Sequence, residues 1–452
     1  MKLLRKFAFL TVAASLVLAA CAPAATPEPT QAPAPTAAPT DAPAPTDVPA
    51  PTAAPTDVPA PTAAPMKDPV IVGLMSDNSG ALSAYGKMLE NGFALGLKYA
   101  TNGTNAVAGA PIEVIIKDTA SVPDTGTTLA REALEKDGAQ VLIGAPSSSV
   151  ALAISAVAAE NKVVYIAGPA ASPALTAANF NVYTFRNGRT SVQDALTMGA
   201  ALVNLSEAKT FVQIAPDNAF GRGSAAAFYA IVKGAGGAFP LNDTADGAGS
   251  VFAPADTTDF TPYVNQLLDS GADTVIVTWA GSFVALFQSL QQSGVFDQMT
   301  VATGMGDNEA LKAGYADAIG AVGVSVYHYS LFDNDVNNWL VENHQADYGT
   351  PPDLFTEAGF NAAIMLVKAL EATDGDPSAD ALIAALEGLQ FDGPKGAYEV
   401  RATDHTLLQP MTLVKLVNAD DPDYKFVELV ELFDAAQTAP PCAVPAELNR
   451  CK

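Results

Sequence analysis

Histidine, tryptophan, cysteine and basic side chains are the scarce residues of this 452-residue chain. The three histidines, His328, His344 and His405, are too dispersed to form a local ligand set for a metal. No HExxH, Walker loop or GxSxG elbow occurs, so an enzyme would need an arrangement that spacing does not display. Basic residues number 23 against 48 acidic ones, for a formal net charge of −25. That balance argues against nucleic acid or an anionic membrane surface as partner, and reads most simply as a solvated acidic surface. DNDVNNWLVENH, from Asp333, begins like a calcium loop but lacks the sixth-place glycine and carries His344 at the twelfth place, so it reads as a capped helix start. FGRGSAAA holds a loose GxGxxA that does not directly follow a strand, and reads as a turn opening a helix. Neither cofactor nor metal is expected.

The few cysteines are informative by position. Cys21 sits in SLVLAACAPAATPEP, between an apolar run and a proline tract. Lys2, Arg5 and Lys6 precede an uncharged stretch from Phe7 to Leu18, the layout of an export signal over residues 1–20. The stretch is shorter than the roughly 20 apolar residues of a permanent span. Leu18-Ala19-Ala20-Cys21 resembles the lipobox of bacterial lipoprotein precursors, which implies cleavage before Cys21 and a diacylglycerol on its thiol. A secretory signal with an incidental cysteine is the alternative. Residues 22–66 are almost entirely Ala, Pro and Thr, with PAPTAAPT recurring and no aromatic residue, so no core forms there. In polyproline II geometry this tether reaches up to about 140 Å. Cys442 and Cys451 remain, in a tail over 433–452. Outside the cytoplasmic membrane they are expected to pair, with two free thiols as the alternative.

From Lys67 onward the pattern changes. PVIVGLM (69–75), IEVIIK (112–117), Val141 to Ile143 and Val163 to Ile166 are β-branched runs separated by helix-sized segments. A second series starts after Arg189, with strands at 210–214 and 274–278 and near 299 and 322, and helices between them. Two such series predict an α/β chain of two similar, doubly wound parallel-sheet lobes. Ligands of open parallel sheets bind beyond the carboxyl ends of the strands, so the expected site is a cleft between the lobes.

Two loops join strand ends to helix starts. In IGAPSSSVALAISA, Ser147, Ser148 and Ser149 offer hydroxyls and unpaired backbone N–H groups that favour an anion; simple N-capping is the competing reading. In YIAGPAASPALT, Ala170 and Ala171 let backbone approach a ligand and Ser172 adds a hydroxyl.

With GLMSDNSGALSAYG (73–86), DNAFGRG (217–223) and DFTPYVNQLLDSGADTVIV (259–277), these loops make the chain resemble the type I periplasmic solute-binding proteins of ABC importers for branched-chain and other hydrophobic amino acids. The resemblance implies three crossovers, near Asn187 to Ser191, Val324 to Ser330 and Arg401 to Gln409. It places the first lobe at 67–188 and 329–402 and the second at 189–328 and 403–432. It also implies that Ser147 or Ser148, with Ser172, holds a ligand carboxylate, that Tyr85 lines the cleft in the loop after the first strand, and that Phe220 and Trp279 wall it from the second lobe. Phe220 as core and Trp279 as a strand-end anchor are the alternatives. The family's acidic residue for a ligand ammonium aligns with Gly306, one place before Asp307. Asp307 in the cleft favours a zwitterionic amino acid; Asp307 in solvent favours an uncharged or anionic ligand, and similar relatives include a branch associated with aromatic acids. The implied partners are a small carboxylate-bearing solute and a membrane permease. The chain is expected to be a monomer held by lipid on the extracytoplasmic face of the cell membrane. A sensory receptor domain is the alternative function, and a serine hydrolase a weaker third.

Overall fold

The computed structural model describes residues 67–205, 209–281 and 283–451. The expected leader, Cys21 and the expected tether lie outside the described residues. The first sheet comprises β1 (Val70–Ser76), β2 (Ala106–Val107), β3 (Ala110–Asp118), β4 (Val141–Gly144), β5 (Val164–Ala167) and β6 (Thr184–Arg186), in the order β2-β3-β1-β4-β5-β6. All its pairings are parallel except the short β2 hairpin. VLIG of β4 and VYIA of β5 are buried at every residue, as central strands covered on both faces require.

The second sheet takes β7 (Phe211–Pro216), β8 (Ser250–Ala253), β9 (Thr274–Val277), β10 (Thr300–Gly304) and β11 (Val322–Ser325). A small antiparallel sheet follows, of β12 (Gln390–Gly393), β13 (Gly396–Val400) and β14 (Leu407–Leu408). Then β15 (Met411–Leu416) and β16 (Val427–Phe433) return antiparallel to the second sheet, whose order is β16-β15-β11-β10-β9-β7-β8. The architecture is two α/β lobes joined by three crossovers.

Helix Ser83–Ala100 packs along helix Thr356–Ala372 in the first lobe. The contact is backbone to backbone: a Cβ on Gly92 would lie 2.0 Å from the Thr356 carbonyl oxygen, and one on Gly359 2.2 Å from that of Leu89. Only glycine permits this approach.

The chain leaves the first lobe after β6, returns to it after β11, and leaves it again between β14 and β15. This third passage falls at Gln409–Pro410, at the end of the crossover expected over 401–409 and beyond the lobe boundary at 402, because β14 still pairs with β13. His405 also stacks on Phe185 of β6 with ring centroids 3.8 Å apart. In the tail, Cys442 and Cys451 are disulfide-bonded. Arg450 Nε donates to the Thr403 carbonyl at 2.8 Å, and Arg401 Nη1 to that of Pro440 at 2.8 Å, which fastens the tail to the 401–405 turn. Among the described residues no helix is long and apolar enough to cross a membrane.

Candidate functional site

A cavity of about 380 Å³ lies between the lobes, at the carboxyl ends of β4, β7, β9 and β10. From the first lobe Tyr85, Ser147, Ser148 and Ser149 line it, with Ala171 of the loop after β5. Phe220, Phe228, Trp279 and Phe283 come from the second lobe. The back, where the crossovers run, is closed by Arg189, Val326, Leu354 and Phe355. This size and apolar lining suit a small organic molecule.

The serine loop presents free hydrogen-bond donors. Ser147 caps helix Ser148–Asn161 with extended backbone but no side-chain cap bond, so the first N–H groups of the helix keep no intrahelical acceptor. The Ser148 hydroxyl oxygen accepts the N–H groups of Ala171 at 3.2 Å and Ser172 at 3.1 Å. It thereby joins the two loops and retains its own proton for donation at the cavity wall. The hydroxyls of Ser147 and Ser149 have no partner among the described residues. A carboxylate at this helix start gains both the dipole and the hydroxyl donors.

The aromatic walls are fixed by packing. Trp279 is 4% exposed and edge-on to Phe260, with centroids 5.0 Å apart, while its indole N–H has no acceptor among the described residues. Tyr85 packs edge-on against Phe355 at 4.7 Å. Burial raises the Tyr85 phenol above its usual range, although the Gly281 backbone N–H of the other lobe works against that. The charged residues lining the cavity are Arg189, Asp194 and Asp256; Asp256 is exposed, and the first two are ion-paired at 3.3 Å.

A profile of the periplasmic binding protein family matches residues 69–421. The chain belongs to that family. Among the curated relatives of this periplasmic binding protein, a Leu/Ile/Val-binding protein homologue of Brucella suis is 24% identical over 368 residues, covering 79% of this chain and 90% of the relative. An ABC-type branched-chain amino acid transporter protein of Rhodopseudomonas palustris, known from its crystal structure, is 34% identical with a TM-score of 0.68, covering 83% of this chain and all of that one. A solute-binding protein of an ABC transporter from another R. palustris strain, crystallised with 3,4-dihydroxybenzoic acid, has a TM-score of 0.72 at 24% identity and covers 81% of this chain and 97% of its own. The relatives are substrate-binding proteins rather than enzymes, and the family's place is extracytoplasmic.

Of the residues singled out in the sequence, Tyr85, the three serines, Phe220 and Trp279 share the cavity of this binding protein, and three others do not. Tyr85 sits in the first turn of helix Ser83–Ala100 rather than in the preceding loop. Ala170 is buried behind the wall, where its carbonyl accepts Arg186 Nη2 at 2.6 Å. Ser172 supports the site from behind: its N–H serves Ser148, and its carbonyl accepts Arg186 Nη1 at 3.0 Å. Asp307 is half-buried as the N-cap of helix Asn308–Gly314, its carboxylate accepting the Ala310 N–H at 3.0 Å. It therefore neither reaches into the cavity nor faces bulk solvent. Arg189 and Asp194 were not singled out; the cue was an arginine at a lobe junction in a chain poor in bases.

Near Asp307 a carboxylate bridges the lobes. Asp353, just before helix Thr356–Ala372 of the first lobe, accepts the Asn308 N–H of the second at 3.1 Å and the Leu354 N–H at 2.7 Å. Burial, then the neighbouring Asp307 and Glu309, push its carboxyl up to about 7 against the pull of those N–H groups. The phenols of Tyr85, Tyr327 and Tyr424 also sense its charge.

Proposed function

We propose that this protein captures a carboxylate-bearing aromatic or other apolar acid between its lobes and delivers it to the permease of an ABC importer, held at the membrane through Cys21 and the tether. Relatives named for leucine, isoleucine and valine and the relative crystallised with dihydroxybenzoic acid point to two ligand classes that differ by an ammonium. The observation that carries the choice is that, among the described residues, the cavity lining holds no buried carboxylate without a cationic partner: Asp307 caps a helix outside the lining and the charge of Asp194 is matched by Arg189. A buried ammonium needs such a carboxylate, whereas a ligand carboxylate finds the serine loop waiting. Titration calorimetry on protein stripped of copurified ligand, with benzoate, 3-phenylpropionate, phenylalanine and leucine, tests this. An acid is expected to bind and the two amino acids to bind at least about a hundredfold more weakly; tighter binding of leucine than of either acid would sink the reading.

Contacts from both lobes stabilise a closed form, which is how a ligand shifts a hinge equilibrium. Asp353 ties that equilibrium to pH. When the lobes separate, its carboxyl returns toward the ordinary range near 4. Closure therefore takes up a proton between about 4 and 7, and this contribution is full at the acid end and lost as pH rises to 7. Affinity for the bound acid is expected to fall between pH 5 and 7 by up to about tenfold per unit and to level off above. Asp353→Asn should flatten that profile; an unchanged slope in the variant would remove Asp353 from the account.

A further inference from the structure

We propose that Arg189 and Asp194 form a second polar subsite of the cavity, one that reads a hydroxyl group on the ring of the bound acid. The inference rests on the aromatic-acid reading above. Arg189 follows β6 in the first crossover, and Asp194 lies in the first turn of helix Ser191–Leu205, which begins the second lobe. Both line the cavity, with side chains 8% and 14% exposed.

Their hydrogen-bonding capacity is only partly used. Arg189 Nε donates to Asp194 Oδ1 at 3.3 Å and Nη1 to the Pro169 carbonyl at 3.3 Å. The guanidinium lies over the Phe355 ring, 5.6 Å from its centroid. Nη2 has no acceptor among the described residues, and neither does Asp194 Oδ2 have a donor. A strong donor and a strong acceptor thus stand side by side at the cavity wall. A second carboxylate there would meet Arg189 but be repelled by Asp194, and an ammonium would meet the reverse. A hydroxyl donates and accepts at once, so it satisfies both.

The spacing suits one aromatic ring. The serine loop leaves the end of β4 and Arg189 follows the end of β6, with β5 between them. Two strand spacings make roughly 10 Å. A benzene ring carrying a carboxylate and a para hydroxyl, with a hydrogen bond of about 2.8 Å at each end, bridges a gap of that order. With its carboxylate at the start of helix Ser148–Asn161, such a ring lies between the aromatic side chains of the two lobes.

Calorimetric titration with benzoate, 4-hydroxybenzoate and 4-methoxybenzoate tests the subsite in the wild-type protein. The hydroxy acid is expected to bind about tenfold tighter than benzoate. The methoxy acid, which accepts but cannot donate, should lose that advantage. Asp194→Asn is expected to bring the ratio of 4-hydroxybenzoate to benzoate affinity close to one. Equal binding of benzoate and 4-hydroxybenzoate by the wild type would overturn the subsite while leaving the ligand class standing. Binding of none of the three acids would overturn both. If Asp194→Asn tightens benzoate and its hydroxy derivative equally, Arg189 is the carboxylate anchor and the hydroxyl subsite is refuted.

Discussion

Replacing Ser148 with alanine is expected to weaken binding of an aromatic carboxylate by roughly a hundredfold or more. Two losses combine in this variant. The ligand loses a hydroxyl donor, and the N–H groups of Ala171 and Ser172, now 3.2 and 3.1 Å from the Ser148 oxygen, lose their acceptor. Such buried donors each cost about 1–3 kcal/mol when left unpaired, so the loop after β5 is expected to shift out of register with the helix start. Ser172→Ala gives the contrast. Its contribution runs through backbone N–H and C=O, so the variant is expected to stay within about threefold of wild type. Side-by-side titrations decide the matter: if Ser172→Ala proves as harmful as Ser148→Ala, the division of labour between the two serines is wrong.

The largest loss of stability is expected from Lys395→Met, about 3–5 kcal/mol in chemical denaturation. Lys395 is 4% exposed and sits among the crossovers. Its ammonium donates to the Val326 carbonyl at 3.0 Å, on the second crossover, and to Gln409 Oε1 at 2.5 Å, on the third. Glu357 Oε1 lies 3.9 Å away and accepts from Tyr398 Oη at 2.6 Å and Asn361 Nδ2 at 2.5 Å. Burial lowers the lysine from its ordinary range, and Glu357 counters that. Removing the lysine alone leaves the Glu357 carboxylate buried beside neutral groups. Removing both charges, in Lys395→Met with Glu357→Gln, should recover a large part of the loss, because the cost lies in the unpaired charge rather than in the absent bridge. A double variant no more stable than the single one would refute that explanation.

How much of this was legible beforehand depended on whether a residue's role was local. The serine loop, Phe220 and Trp279 follow strand ends directly, and strand ends were readable from β-branched runs bounded by Gly and Pro. Asp307 was weighed for the cleft although the chain reads DNEA from that point, an acid directly before a helix start; the N-cap rule accounts for it. Ala170 and Ser172 stay out of the lining: Arg186, 14 to 16 residues along the chain, holds both of their carbonyls and so sets the course of the loop after β5. Arg189, Asp194, Asp353 and Lys395 owe their roles to packing between distant segments. A charge in a loop carries no periodicity, and burial alone separates these four from the solvated charges of the same types. The passage at Gln409–Pro410 meets the end of the expected third crossover, whereas the lobe boundary drawn at 402 falls short of it, because the two-residue β14 is too short to announce itself in the sequence.

The glycine contact between helices Ser83–Ala100 and Thr356–Ala372 bears on where the molecule can deform. Where backbone meets backbone, as at Gly92 and Gly359, there are no side chains to change rotamer and absorb a displacement. The first lobe is accordingly stiff across this seam, and under the closure proposed above, strain from a ligand held by both lobes would pass through it with little loss. Compliance is then left to the three crossovers, so in the proposed capture the mechanical work would be concentrated in a few residues of main chain rather than dispersed through the core.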